Sequence, residues 1–289
     1  MPSPPFLPHL EALSDAPPGV PLNLLFIHHS VGGQLLADPG AQEDTPDTRH
    51  SLHRAHPNGG GLRALLASQG YQVHEASYGS EIGQKTDLFD WLPKFRDSMP
   101  RILATRWQDD TLSAGQNQIV AFKSCYPNNA FRAGNAPGNA RGPELTLANA
   151  RATFDALRAE FARHPQVLFL YVTTPPLRDD SGDEPTWKSL AKRLLGRPTL
   201  AGERRDAAAI AREFNTWLTA ADGWLAGYPQ RNIVVFDYFD LLTEGRANFL
   251  QFASQGGTDN HPHTDAQRRA APRFASLLNR AVRHAGLFA

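Results

Sequence analysis

The segment Leu24-Leu25-Phe26-Ile27-His28-His29-Ser30-Val31-Gly32-Gly33 sets four apolar residues against two histidines, a serine and a glycine pair. An apolar run that breaks into small residues, with Gln34-Leu35-Leu36 as a first helical turn, describes a buried strand, a tight turn and a helix. Such a turn puts one side chain at the carboxyl end of a sheet and points backbone N–H groups at it. Ser30 is that side chain. A serine hydroxyl is almost wholly protonated at neutral pH. Its use as a nucleophile needs an imidazole to take the proton, and a carboxylate to orient that imidazole. Gly256-Gly257-Thr258-Asp259-Asn260-His261-Pro262-His263 offers both, with His261 as the base and Asp259 as its partner.

Two further polar segments follow apolar strands. Tyr78-Gly79-Ser80-Glu81-Ile82-Gly83 comes after the second, and Ser124-Cys125-Tyr126-Pro127-Asn128-Asn129 after the third. Each of these residues also has a purely structural use. His28 can pack, and His29 can donate within a loop or line a pocket with Ser124. Gly79 and Gly83 can serve turn geometry, and Asn128 can hold its own turn. Cys125 reads as a small core residue, His263 as a surface residue at a helix start, and Asp237 as a cap. A second chemistry is open as well. His28, His29, Asp259, His261 and His263 are ligand types that suit zinc or iron, although the adjacent pairs follow no familiar ligand spacing.

These residues must be placed by the elements around them. Residues 1–21 read as a proline-rich arm, and 22–289 as one domain. Strands are expected at 22–28, 71–77, 118–123, 167–172 and 232–236. Helices are expected from Leu62, over 87–95, over 147–161, near 190–195, from Ile210 to Ala221 and over 264–284. The polar stretch 38–58 reads as a long loop, a candidate lid. Alternating strands and helices predict an α/β fold, three layers αβα, with a five-stranded, mainly parallel sheet. Ligands collect at the carboxyl edge of such sheets.

At this point the chain resembles the SGNH hydrolases, also called GDSL-type esterases. They carry a serine after the first strand, a glycine after the second, an asparagine after the third and an Asp-x-x-His block before the last helix. Ser30 falls at the serine position, in His-His-Ser-Val-Gly. Gly79 or Gly83 falls at the glycine position. Asn128 lies near the asparagine position, with Asn129 and Ser124 as alternatives. His261-Pro262 falls at the closing block, where Asp259 stands two residues before the histidine instead of three. The resemblance extends to a subgroup with His-His-Ser and Lys-Ser-Cys. It implies a flavodoxin-like sheet and a serine esterase or deacetylase acting on a small acyl ester, free or on a glycan. It also implies an oxyanion hole made by the Ser30 amide, a glycine amide and the Asn128 side chain, with no cofactor. A non-catalytic glycan-binding protein on the same scaffold is the remaining reading.

Composition bounds the partners. The 289 residues carry 29 basic and 29 acidic side chains, 41% hydrophobic and 20% charged residues. Zero net charge asks for neither nucleic acid nor an anionic membrane. No apolar run approaches the roughly 20 residues of a membrane span. One cysteine excludes an intramolecular disulfide. The opening residues lack the basic start and apolar run of a secretory signal, which favours a cytoplasmic location.

Overall fold

The computed structural model describes residues 8–46, 51–177, 185–245 and 260–287. The chain runs α1 (Pro8–Glu11), β1 (Leu22–Ile27), α2 (Ser30–Leu36), β2 (Asp38–Pro39), β3 (Glu43–Asp44), β4 (His53–His56), α3 (Leu62–Ser68) and β5 (Tyr71–Ala76). It continues through α4 (Trp91–Ala104), β6 (Thr105–Trp107), β7 (Asp110–Thr111), β8 (Ile119–Phe122), α5 (Leu147–Phe161) and β9 (Leu168–Val172). It ends with α6 (Thr186–Leu194), α7 (Leu200–Thr219), β10 (Ile233–Phe236), α8 (Tyr238–Thr243) and α9 (Thr264–Ala285).

β1 lies inside a seven-stranded sheet of order β10-β9-β8-β1-β5-β6-β7. It pairs in parallel with β5, Leu24 beside Val73, and with β8, Leu24 beside Ile119. Successive side chains of a strand point to opposite faces. Leu24 and Phe26 therefore join Ile119, Leu170, Phe236 and the inner side of α9 (Phe274, Leu278) in one core. Leu25 and Ile27 join Val120, Phe122, Phe169 and α4, α5 and α7 (Phe95, Phe154, Phe214) in the other. Both faces are covered by helices, which is why β8, β9 and β10 are apolar throughout instead of alternating, while β5 mixes Tyr71, Val73 and Ala76 with Gln72, His74 and Glu75. No helix of the described residues is long and apolar enough to cross a membrane.

The five long parallel strands stand where the apolar runs place them. Among the described residues the sheet nevertheless has seven strands, not five. The extra pair, β6 and β7, is three and two residues long, and its Thr, Arg and Asp leave Trp107 as the one large apolar residue, so no apolar pattern marks it; β7 runs antiparallel at the edge. The stretch 38–58 also differs from a plain loop. Within it, β2, β4 and β3 form a separate three-stranded sheet, tied by backbone bonds such as Thr45 N–H to the Leu52 carbonyl. The helix expected over 87–95 is a 3-10 turn, Leu88–Asp90, that passes into the longer α4. α7 starts ten residues before Ile210, where the Thr199 side chain accepts the Gly202 N–H as a cap. The Asp237 side chain likewise caps α8, accepting from the Asp240 N–H. From the arm, Leu10 is buried in the α9-side core, and the Asp15 carbonyl accepts from Asn279 on α9.

The first turn of α2 packs hard against β1. A Cβ at Gly32 would fall inside contact with Cβ and Cγ of His28, the rigid base of that side chain. Gly32→Ala gains about 1 kcal/mol of helix propensity but must displace His28, at about 1–3 kcal/mol. The expected outcome is a lower urea midpoint, against the propensity trend.

Candidate active site

Ser30 opens α2 directly after β1, with His29 extended at φ −120° and ψ −159°. The abrupt change from strand to helix leaves the Ser30 side chain at the carboxyl edge of the sheet. His261 reaches the same place from the segment before α9, whose N-terminus is capped by His263, with Nδ1 accepting from the Asp265 N–H. Ser30 Oγ and His261 Nε2 are 2.8 Å apart, within the range for a nucleophile and its base. The edge of the Tyr126 ring packs on the His261 imidazole, with centroids 5.5 Å apart. Asp259 lies outside the described residues.

The two histidines before Ser30 are turned elsewhere. His28 is fully buried; it donates from Nδ1 to the His29 carbonyl and from Nε2 to Glu75 Oε1, each at 2.9 Å. Glu75, on β5, is itself fully buried, and its second oxygen accepts from Arg63 of α3. Burial works against ionisation of this carboxyl. The His28 hydrogen bond and the Arg63 charge outweigh it and hold the group below the ordinary carboxylate range. Arg63 also donates to the His53 carbonyl at 3.0 Å, tying the cluster to β4.

His29 lies on the second loop. Its Nε2 donates to the Gly83 carbonyl at 2.8 Å, Thr86 Oγ1 donates to its Nδ1 at 3.0 Å, and its ring stacks on Tyr78 at 3.5 Å. Burial pushes its pKa down to about 3, with the Lys123 charge acting in the same direction and the Gly83 carbonyl opposing. Gly83 is held on both sides, since its N–H donates to Ser80 Oγ at 2.9 Å. A Cβ there would overlap the Ser77 carbonyl, so close backbone approach sets this glycine. Gly79 adopts φ +83°, a conformation that suits glycine.

The third loop is equally tied down. Ser124 Oγ accepts from Trp91 Nε1 at 2.8 Å. The Asn128 amide donates to Asp87 Oδ1 at 2.8 Å and to the Cys125 carbonyl at 3.3 Å, while its oxygen accepts from the Leu88 N–H. Asn129 donates to the Thr174 and Pro175 carbonyls. Cys125, buried in the core as its type suggests, sets its Sγ 3.9 Å from Ser30 Oγ. Behind it, the fully buried Lys123 donates to that sulfur at 3.7 Å. Burial lowers the pKa of its ammonium, with the Cys125 sulfur opposing.

The structure thus brings Ser30 and His261 together. It sends the rings of His28, His29 and His263 to separate protein partners. Among the described residues, no group of three or more His, Cys, Asp or Glu side chains is placed to hold a metal ion. Tyr78, stacked on His29, Tyr126, packed on His261, and Glu75, bonded to His28, were given no role from sequence. Lys123, a cation directly after an apolar strand, entered only as the first residue of the Lys-Ser-Cys signature.

No family model matches the chain. No curated protein matches it either. Two solved structures are similar to it. One is a carbohydrate esterase family 2 enzyme with a carbohydrate binding domain from Corynascus thermopiles (Myceliophthora fergusii), at 16% identity and a TM-score of 0.39, over 93% of this chain and 68% of that one. The other is a carbohydrate esterase whose active site displays divergent catalytic and non-catalytic binding functions, at 14% identity and a TM-score of 0.37, over 91% of this chain and 66% of that one. Likeness at this level carries no argument about the chemistry of this chain.

The depressed pKa of His29 makes a pH prediction. Its folded value, about 3, lies below the ordinary 6.5, so the unfolded chain binds the extra proton in between. The contribution is fully present above pH 6.5 and is lost as pH falls toward 3, by at most about 1.4 kcal/mol per unit. Urea midpoints between pH 7 and 4.5 should therefore fall less steeply in His29→Gln than in the wild type.

Proposed function

We propose that the chain is a serine hydrolase that cleaves an acyl ester, as an esterase or deacetylase, through an acyl-Ser30 intermediate. The observation that supports this is the 2.8 Å contact between the Ser30 hydroxyl and His261 Nε2 at the carboxyl edge of the sheet. In this reading Ser30 Oγ attacks the ester carbonyl carbon while His261 Nε2 takes its proton. Collapse of the tetrahedral intermediate breaks the bond to the alcohol oxygen, and His261 returns the proton to that leaving group. A water molecule, deprotonated by the same imidazole, then attacks the acyl carbon and frees Ser30. Asp259 is assigned as the carboxylate that orients His261.

The developing oxyanion needs N–H donors. The Ser30 amide, in the first turn of α2, is one assignment, because first-turn amides lack intrahelical acceptors. Of the two glycines, Gly79 is the better second donor, since the Gly83 N–H already serves Ser80. Asn128 contributes only by exchanging its bond to Asp87 or to the Cys125 carbonyl for one to substrate. The substrate class assigned is a small acyl ester, free or on a glycan, as the SGNH resemblance implies.

A fluorophosphonate probe reacts with a hydroxyl only when a base activates it. It should label the wild type, with the adduct mapping to Ser30, and should leave Ser30→Ala unlabelled. His261→Gln should label at least about 100-fold more slowly. An unlabelled wild type, as a purely glycan-binding protein would give, or equal labelling of Ser30→Ala, overturns the assignment.

A further inference from the structure

Net charge and span length, the sequence grounds for expecting no membrane partner, are averages over the whole chain and miss what α6 concentrates in nine residues. Trp187, Leu190 and Leu194 follow helical spacing along it, with Leu195 just beyond its last residue. Their relative exposures are 68%, 58%, 79% and 70%, whereas most large apolar side chains of the described residues are buried. Residues 185–202 contain Lys188, Lys192, Arg193 and Arg197, and no Asp or Glu. At about 100° per residue, the apolar side chains fill one arc, with Lys188 and Arg193 flanking it on opposite sides. Lys188 Nζ lies 5.4 Å over the Trp187 ring.

We propose that α6 is an interfacial anchor that docks the protein on an anionic lipid surface. An apolar arc carrying Trp and Leu, bordered by cations on both margins, matches the boundary between acyl chains and charged headgroups. The helix is about 14 Å long, too short to span a bilayer but suited to lie in its plane. Self-association through this face fits less well. A two-fold contact sets the same patch against itself and brings the like-charged margins Lys188 and Arg193 together. The chain leads to α6 from the carboxyl end of β9, the sheet edge that also holds Ser30. The intact chain carries Asp179, Asp180, Asp183 and Glu184 just before the helix and Glu203 after the basic stretch, so the charge part must be tested with them present.

The test is co-sedimentation of the full chain with vesicles of phosphatidylcholine alone, or of equal parts phosphatidylcholine and phosphatidylglycerol. The wild type is expected to bind the mixed vesicles and not the neutral ones, less so in high salt. Leu190→Glu/Leu194→Glu and Lys188→Gln/Arg193→Gln should each lower partitioning about tenfold or more. Both pairs lie on an exposed surface, so circular dichroism should match the wild type. No binding of the wild type to mixed vesicles, or equal binding to both compositions, overturns the proposal. So does a wild-type dimer in sedimentation velocity that Leu190→Glu/Leu194→Glu dissolves, which would give the face to a second copy.

Discussion

The contact between Ser30 and His261 depends on the end of β1 being immobile while the chain changes from strand to helix within three residues. A 2.8 Å contact between residues 30 and 261 survives only if both approach on rigid supports. On the β1 side, the support is a buried ionic cluster. Glu75 of the neighbouring strand is held between His28 and Arg63, and His28 also bonds the carbonyl of His29, the residue before Ser30. An unpaired carboxylate in that position would be strongly destabilising, so the cluster holds as a unit or not at all. It joins the end of β1 to β5, α3 and β4 behind Ser30, without touching Ser30 Oγ.

In front of that support, the loops are joined to one another. His29 and Thr86 connect the turn before Ser30 to the second loop, and Asn128 connects the second loop to the third through Asp87 and Leu88. Trp91, at the start of α4, is tied to Ser124 and so links the third loop to the aromatic core of the opposite face. Residues that sequence alone offers as oxyanion donors are thus also the fasteners of the site. A donor that already has an acceptor must exchange it when substrate arrives. That requirement separates Gly79 from Gly83 and sets the condition on Asn128.

Periodicity made the inner architecture legible. Five apolar runs gave the five long strands, and α5 stands where its Ala150, Phe154, Leu157 and Phe161 spacing puts it. Ser30 was marked by the apolar run that it ends, and His261 by the polar segment before the last helix; the structure sets the two side chains 2.8 Å apart. β6, β7 and the small sheet of β2, β3 and β4 were not. They are short and polar, and their order comes from backbone hydrogen bonds, which sequence pattern does not encode. Glu75 was hidden for a related reason. A carboxylate in a strand reads as solvent-facing until partners from two other elements, His28 and Arg63, make its burial tolerable. α6 was legible as a helix, but the cationic margins of its apolar arc emerge only once its register is known.

Catalysis by a hydroxyl and an imidazole acting together makes a demand that separate roles do not. Hydrolysis of 4-nitrophenyl acetate, measured as kcat/KM for the wild type, Ser30→Ala, His261→Ala and the double variant, is the direct measurement. If the two side chains form one unit, each single change abolishes most of the rate, and the double variant is no worse than the poorer single one. Independent, multiplicative losses, or full activity in either single variant, would contradict the account.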